Sequence, residues 1–262
     1  MTREGNDEMM RDELATIAKP VLAAVTDHPF WAGVRAGTLP TASLRYFAEQ
    51  DARYVVPAYA RALARVAATA DGHAHAAMLC EAANATFESV PRLLRELTEL
   101  AEEPGGPADP GRPGPQGGPG APGEPGGPGL QGGPGAPGDP GGPGEGVAPI
   151  DPACRAHTSF MTAVATDSFA AAIGGLLPMT WFHLQVSDDL RQGRAPGSRY
   201  AAWIDRYCPG DGYQEYVAAY LTMVDEVSDR CSARDRDRLA ERFLLGARHE
   251  WAFAEAAWRH RG

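Results

Sequence analysis

The sequence has one lysine, Lys19, only four cysteines and no long uninterrupted apolar run. No stretch approaches the roughly 20 apolar residues that span a bilayer, so no membrane partner is expected. The N-terminus, MTREGNDEMMRDELATIAKP, is acidic and lacks the apolar segment of a signal peptide. A cytoplasmic location is the expectation. Cys80, Cys154, Cys208 and Cys231 form no C-x-x-C pair, so buried free thiols are expected rather than disulfides. Positive charge is also scarce: 24 Lys+Arg against 34 Asp+Glu give a net charge of −10. Nucleic-acid binding needs an excess of positive charge to displace counterions from phosphates, so no such partner is expected. The phosphate loop G-x-x-x-x-G-K-[ST], the G-x-S-x-G elbow and H-E-x-x-H are all missing.

Glycine and proline, by contrast, are abundant, but they are concentrated. Residues 104–150 hold 19 of the 31 glycines and 14 of the 23 prolines. Glycine occupies every third position from Gly111 to Gly144, and GGPGAPGEPGGPG from Gly117 returns as GGPGAPGDPGGPG from Gly132. Collagen requires such spacing because only glycine fits at a triple-helix axis. Twelve triplets are few, and the composition reads more simply as a solvated, disordered Gly/Pro-rich loop on the surface. The expected organisation is one domain whose first half is residues 1–103 and second half residues 151–262, with 104–150 inserted between them. The 215 residues outside the insertion suffice for one well-buried core.

Both halves carry helical periodicity. Leu14, Ile17, Val21 and Val25 share a face, with Pro20 as a possible kink, and Leu44, Phe47, Tyr54, Tyr59, Leu63 and Val66 mark the inner side of a long helix that Thr41 is expected to cap. Another helix covers AHAAMLCEAANATFESVPRLLRELTEL. After the insertion, HTSFMTAVATDSFAAAIGGLL and PMTWFHLQVSDDLRQG read as separate helices, followed by a short YAAWIDRY piece. YQEYVAAYLTMVDEVSDRC and a last helix capped with help from Asp235 complete the set. No alternating strand pattern occurs, so the expected class is all-α.

Four polar residues stand out on apolar faces. Asp51 and Tyr54 are three apart and so share a helical face. A buried carboxylate must be paired or ligated because desolvation costs several kcal/mol, and Arg53 or Arg61 is a candidate partner. Glu250 lies among Trp251, Phe253 and Trp258, though a solvated face would also fit. His183, one turn after Met179, reads as a core histidine or a ligand-facing one.

At this point the residues carry a resemblance. HPFWAGVRAGTLP followed by FAEQDARYV is similar to the opening of the TenA/thiaminase II family, with Gly37-Thr38-Leu39-Pro40 and then Phe47, Gln50, Asp51 and Tyr54 in place. HTSFMTAVATDSFAAAIGGLLPMTWFHLQVSDDL, YAAWIDRY and RHEWAFAEAAW resemble three later family blocks, in order. The resemblance implies a heme-oxygenase-like helical bundle without heme, commonly a homotetramer, that needs no cofactor and binds the aminopyrimidine half of thiamin or of a thiamin breakdown product. It implies that Asp51 bonds the pyrimidine and its amino group and that Tyr54 lines the pocket. Tyr207 brings a hydroxyl near the reacting carbon, and Glu250 holds a ring nitrogen and shuttles a proton.

Two positions depart from the family pattern. The catalytic cysteine that follows the family's A-L-L-P element is replaced, in Leu176-Leu177-Pro178-Met179, by Met179, a thioether that cannot form a thiolate. His157 stands where the family has the tyrosine of its Y-T-x-Y-L block, still as an expected substrate contact. The expected function is therefore a thiamin-salvage protein that binds and hydrolyses an aminopyrimidine without a cysteine nucleophile. Two alternatives stand beside it. One is a non-catalytic pyrimidine-binding or regulatory protein. The other is a di-metal oxidase on the same fold, with Glu81 and Glu88 as ligands. That oxidase also needs three ligands on the last helix, where Arg242, Gly246 and His249 make the set incomplete.

Overall fold

The computed structural model describes residues 9–102, 148–210 and 212–260. The expected disordered insertion at 104–150 lies almost wholly outside the described residues. The described parts of Met1–Glu102 and Ile150–Gly262 form one compact unit. It contains ten α-helices, with no strand among the described residues: α1 (Met10–Thr26), α2 (Pro29–Ala36), α3 (Thr41–Gln50), α4 (Val56–Ala67), α5 (His73–Glu102), α6 (Pro152–Val164), α7 (Phe169–Gly193), α8 (Ala201–Tyr207), α9 (Gly212–Arg230) and α10 (Ala233–Arg259). A π-turn, Asp51–Val55, joins α3 to α4.

Local chemistry sets the helix ends, and several differ from expectation. α2 is too short to show periodicity, but its signals are present. The His28 imidazole accepts the Phe30 N–H at 3.1 Å, Pro29 opens the first turn, and Gly37 closes the helix at φ 72°. Thr41 does not cap α3; Pro40 occupies the cap position and Thr41 is the first helical residue. Ser232 caps α10, its Oγ accepting the Asp235 N–H at 3.1 Å, and Asp235 helps as expected by accepting from the same hydroxyl at 2.8 Å. The break in the second half falls at 165–168, not before Pro178. Ser168 caps α7 by accepting the Ala171 N–H, and Pro178 is carried inside the helix. A proline forfeits one helical bond, but the packing of α7 against its neighbours holds the helix together.

α7 is the centre of the bundle. Fifteen of its residues are buried, Ile173, Leu176, Leu177 and Phe182 among them, and each large apolar residue so placed contributes about 1.5–3 kcal/mol. By length and mean hydropathy (1.2) it is the one helix among the described residues suited to crossing a membrane, yet 67% of that stretch is buried inside the protein. Counting uninterrupted apolar residues misses it because Gly, Thr and His interrupt the run.

α10 packs along α7 with backbones in close approach. A Cβ on Gly174 would lie 2.5 Å from the Leu239 carbonyl oxygen, and one on Gly246 would lie 2.5 Å from that of Gly175. Any side chain at either position would force the two helices apart. On the other side, Gln50 is fully buried and its Oε1 accepts the Asp151 N–H at 2.9 Å. Asp151 in turn caps α6 through the Ala153 N–H and accepts the Tyr46 hydroxyl at 2.6 Å. This pins the start of α6 beside the π-turn. The four cysteines are free; Cys154 and Cys208 are buried as expected and Cys231 partly so, but Cys80 is exposed on α5.

Candidate active site

The π-turn places the first acid. Its signature bond runs from the Val56 N–H to the Asp51 carbonyl, one residue wider than in an α-helix. Pro57 follows at once, and a proline clashes with the carbonyl four residues earlier; the widened turn accommodates it. The same widening breaks the three-residue face shared by Asp51 and Tyr54. Asp51 lines a cavity, whereas Tyr54 is half-buried and does not line it. The arginines close to Asp51 in sequence do not pair with it: Arg53 bonds Glu49 at 3.2 Å and Arg61 bonds the Pro57 carbonyl.

The cavity has a volume of about 720 Å³, within the usual range for small-molecule sites. One part of its wall is aromatic. Phe47 stacks on Phe253 (4.7 Å between centroids, 22°), Trp31 meets Phe47 edge-on at 5.3 Å, and Tyr207 stacks against Trp203 at 4.6 Å. Another part carries hydroxyls from α4 and α9, backed by Thr180 of α7. Tyr59 shares a 2.5 Å hydrogen bond with Thr180, whose carbonyl accepts from Tyr213 at 3.3 Å. Met179 and His183, one turn apart on α7, complete the wall with Glu250 from α10. Asp51, Tyr207 and Glu250 thus face one space although two of them are some two hundred positions apart in the chain. None of the four cysteines lines it.

Burial governs the electrostatics. Desolvation pushes Asp51 up to about 7. It pushes Glu250 up to about 8, aided by the Asp51 charge. The Tyr207 phenol is raised by burial and then by both acids. His183 goes down to about 4 through burial and the Arg191 and Arg92 charges. It packs edge-on against Tyr207 at 4.7 Å and Tyr213 at 5.4 Å, so it is a cavity-facing histidine rather than one enclosed in the core.

His157 stands elsewhere. It is 2% exposed, does not line the cavity, and sits behind Glu250 with its Nε2 3.5 Å from Glu250 Oε1. Its other face stacks on His249 (5.3 Å, 5°). Burial, then the neighbouring His249, lowers its pKa to about 3. The expected contact between His157 and substrate therefore gives way to a contact with an acid that faces the cavity. Trp31, Tyr213 and Tyr216 line the cavity but were not singled out in the sequence. For the two tyrosines, the i, i+3 spacing just after the W-I-x-x-Y block is the available signal.

The di-metal arrangement is not assembled. Glu81 reaches the cavity wall, but Glu88 is exposed and bonded to Asn84. Arg242 binds Asp167, Gly246 touches α7, and His249 packs on His157 and Phe160. Among the described residues, no three His, Cys, Asp or Glu side chains group so as to hold a metal ion.

The chain is similar to known proteins in sequence and in fold. The family model described as TENA/THI-4/PQQC matches residues 16–105 and 149–260. The chain is 24% identical over 236 residues to an aminopyrimidine aminohydrolase from Bacillus subtilis (strain 168), covering 90% of this chain and 84% of that one. Among solved structures it is similar to a TenA homologue protein from P. horikoshii OT3 (TM-score 0.68, 21% identity, 97% of this chain and 100% of that one). It is also similar to a TenA family transcription regulator from Silicibacter sp. TM1040 (TM-score 0.70, 19% identity, 95% and 96%). The structural likenesses establish the fold, an all-α bundle of the heme-oxygenase-like kind.

Proposed function

The chain belongs to the TENA/THI-4/PQQC family, and on that premise we propose that it binds an aminopyrimidine of thiamin metabolism and hydrolyses the side-chain amine without a cysteine nucleophile. The observation that carries this reading is the pair Asp51 and Glu250, both with raised pKa, facing one aromatic-walled cavity beside Tyr207. The name of the B. subtilis relative supports the substrate class.

In this reading the flat ring lies against Phe47, Trp31 and Tyr207. Asp51, the more acidic of the two carboxyls, accepts hydrogen bonds from the ring's amino group. Glu250 carries a proton at neutral pH and bonds a ring nitrogen. The reaction breaks the C–N bond to the side-chain amine. Water supplies the oxygen of the new C–O bond, the nitrogen leaves as ammonia, and Glu250 relays the proton between them. A positioned acid–base group of this kind contributes about 10²–10⁴-fold. The covalent thiolate route is closed because Met179 holds the nucleophile position. The proposal includes a homo-oligomer that works in the cytoplasm on a small molecule, with neither nucleic acid nor membrane as partner; the net charge of −10 supports the former exclusion.

Incubation with thiamin and with free and formylated aminomethylpyrimidine tests the reading, with release of the hydroxymethyl product expected. The replacement of the nucleophile by Met179 favours one alternative, a binding-only protein. Ligand-induced thermal stabilisation with no product would establish that alternative, and absence of both product and stabilisation would remove the aminopyrimidine reading. Met179→Cys, which restores a thiol to the wall, is expected to raise thiamin cleavage.

A further inference from the structure

We propose that His157 is a positioning residue for Glu250: its imidazole holds the inner carboxyl oxygen and so leaves the outer one for the cavity. The geometry of the contact does not depend on which ligand fills the cavity. Only its catalytic consequence rests on the aminopyrimidine reading.

Three observations combine. Glu250 Oε1 is sealed from solvent and has no hydrogen-bond partner among the described residues, although the side chain as a whole keeps 15% of its surface accessible. His157 is equally sealed, its Nδ1 also lacks a partner, and its Nε2 is the polar atom facing Oε1, at 3.5 Å. A buried polar atom without a partner is costly, so Oε1 has a strong reason to close on Nε2. Finally, α6 is held where it must be, because Asp151 caps it and Gln50 ties that cap to the start of the π-turn carrying Asp51.

The imidazole suits an acid that must be held in both of its states. Nε2–H donates to Oε1 of the carboxylate, and equally to Oε1 as the carbonyl oxygen of the carboxylic acid, so the acid's proton sits on the outer oxygen. The groups facing the pair are His249 from α10, stacked on the imidazole, and Asp51 from the π-turn, with Tyr207 from α8 and Tyr213 from α9 near Glu250. Burial and the second imidazole keep His157 neutral. It therefore occupies the inner oxygen without taking the proton of Glu250, which stays on the outer oxygen and available to the cavity.

An infrared difference titration of the full chain tests this. The carboxylic-acid C=O band of Glu250 is identified by its loss in Glu250→Gln. In His157→Phe the carboxylate loses its donor, and charge-assisted bonds are the stronger ones. The band is expected to shift and its titration midpoint to rise by about one unit or more, which is tenfold or more in the proton equilibrium. His157→Tyr, whose hydroxyl both donates and accepts, is expected to restore the midpoint. An unchanged band and midpoint in His157→Phe would overturn the proposal. Should that variant fail to fold, ¹⁵N NMR of the His157 imidazole decides instead: Glu250→Gln must move the Nε2 resonance, and an unmoved resonance overturns the proposal equally. Both readouts are free of substrate, so they judge His157 even where no aminopyrimidine is turned over. Where turnover is present, His157→Phe is expected to lower kcat with little change in KM.

Discussion

α10 presents two glutamates to two buried histidines, five positions apart, and the pairs are opposites. Glu255 meets His28 at 3.0 Å, and every strong valence is used. His28 Nδ1 also accepts the Phe30 N–H that starts α2, and Glu255 also binds Arg259 at 2.6 Å. Despite partial burial, Arg259 and His28 hold the Glu255 carboxyl below its ordinary range. Glu250 meets His157 at the longer 3.5 Å with no arginine, and each partner keeps an unpaired buried atom. Its carboxyl goes up instead, to about 8. The same two residue types thus make a structural clamp in one place and a strained, proton-holding acid in the other. The difference lies in the surroundings: a cation and a helix start at the first, a cavity and a second acid at the next. Unsatisfied buried groups of this sort cluster where a protein has work to do.

The largest expected effect that would sharpen this contrast is on turnover. Glu250→Gln is expected to lower kcat by about 10²–10⁴-fold with the fold intact by circular dichroism, whereas Glu255→Gln leaves kcat near the wild-type value. Equal losses in the two variants would erase the distinction. Stability should respond in the reverse order. Glu255→Gln or His28→Ala is expected to lose about 1–2 kcal/mol in a urea titration, from a charge-assisted bond and a helix cap. Glu250→Gln, by contrast, is expected to gain stability at pH 8.5.

A smaller effect follows from the pH dependence of the wild type. Asp51 and Glu250 keep their protons in the folded chain up to about 7 and 8, where the unfolded chain has lost them near 4. The folded state therefore binds more protons, and stability falls as pH rises across that interval. His157 and His183 behave oppositely. They stay neutral in the folded chain down to about 3 and 4, while the unfolded chain takes up protons below 6.5, so stability falls as pH drops. Between about 4.5 and 6.5 the two slopes cancel. These four groups predict a plateau there, with losses on either side, measurable as Tm against pH. In the Asp51→Asn/Glu250→Gln double variant the alkaline loss is expected to vanish while the acid loss remains.

Much of this was legible beforehand. The all-α class followed from periodicity because Leu14, Leu44, Leu63 and Val66, each buried, recur at helical spacing. The family resemblance marks Asp51, Tyr207 and Glu250 as site residues, whereas spacing alone leaves an arginine partner open for Asp51 and a solvated face for Glu250; all three face one cavity. Tyr54 was misplaced because spacing arguments assume an α-helical turn; Pro57 was the warning that the turn is wider. The resemblance puts His157 against the substrate, but sequence order does not say how deep a side chain lies. Local propensity argues for a helix boundary at Pro178, and the packing of α7 against its neighbours overrides it.

The order of residues alone determined that the chain is helical, acidic, interrupted by a glycine-periodic segment and deprived of a thiol at position 179, since these depend on composition, period and identity. Only the tertiary structure decided that Asp51 and Glu250 share an enclosed space, that Tyr54 does not, and that His157 supports an acid from behind. Burial and dielectric are properties of what packs around a group, and the groups that pack around these come from helices scattered along the whole chain.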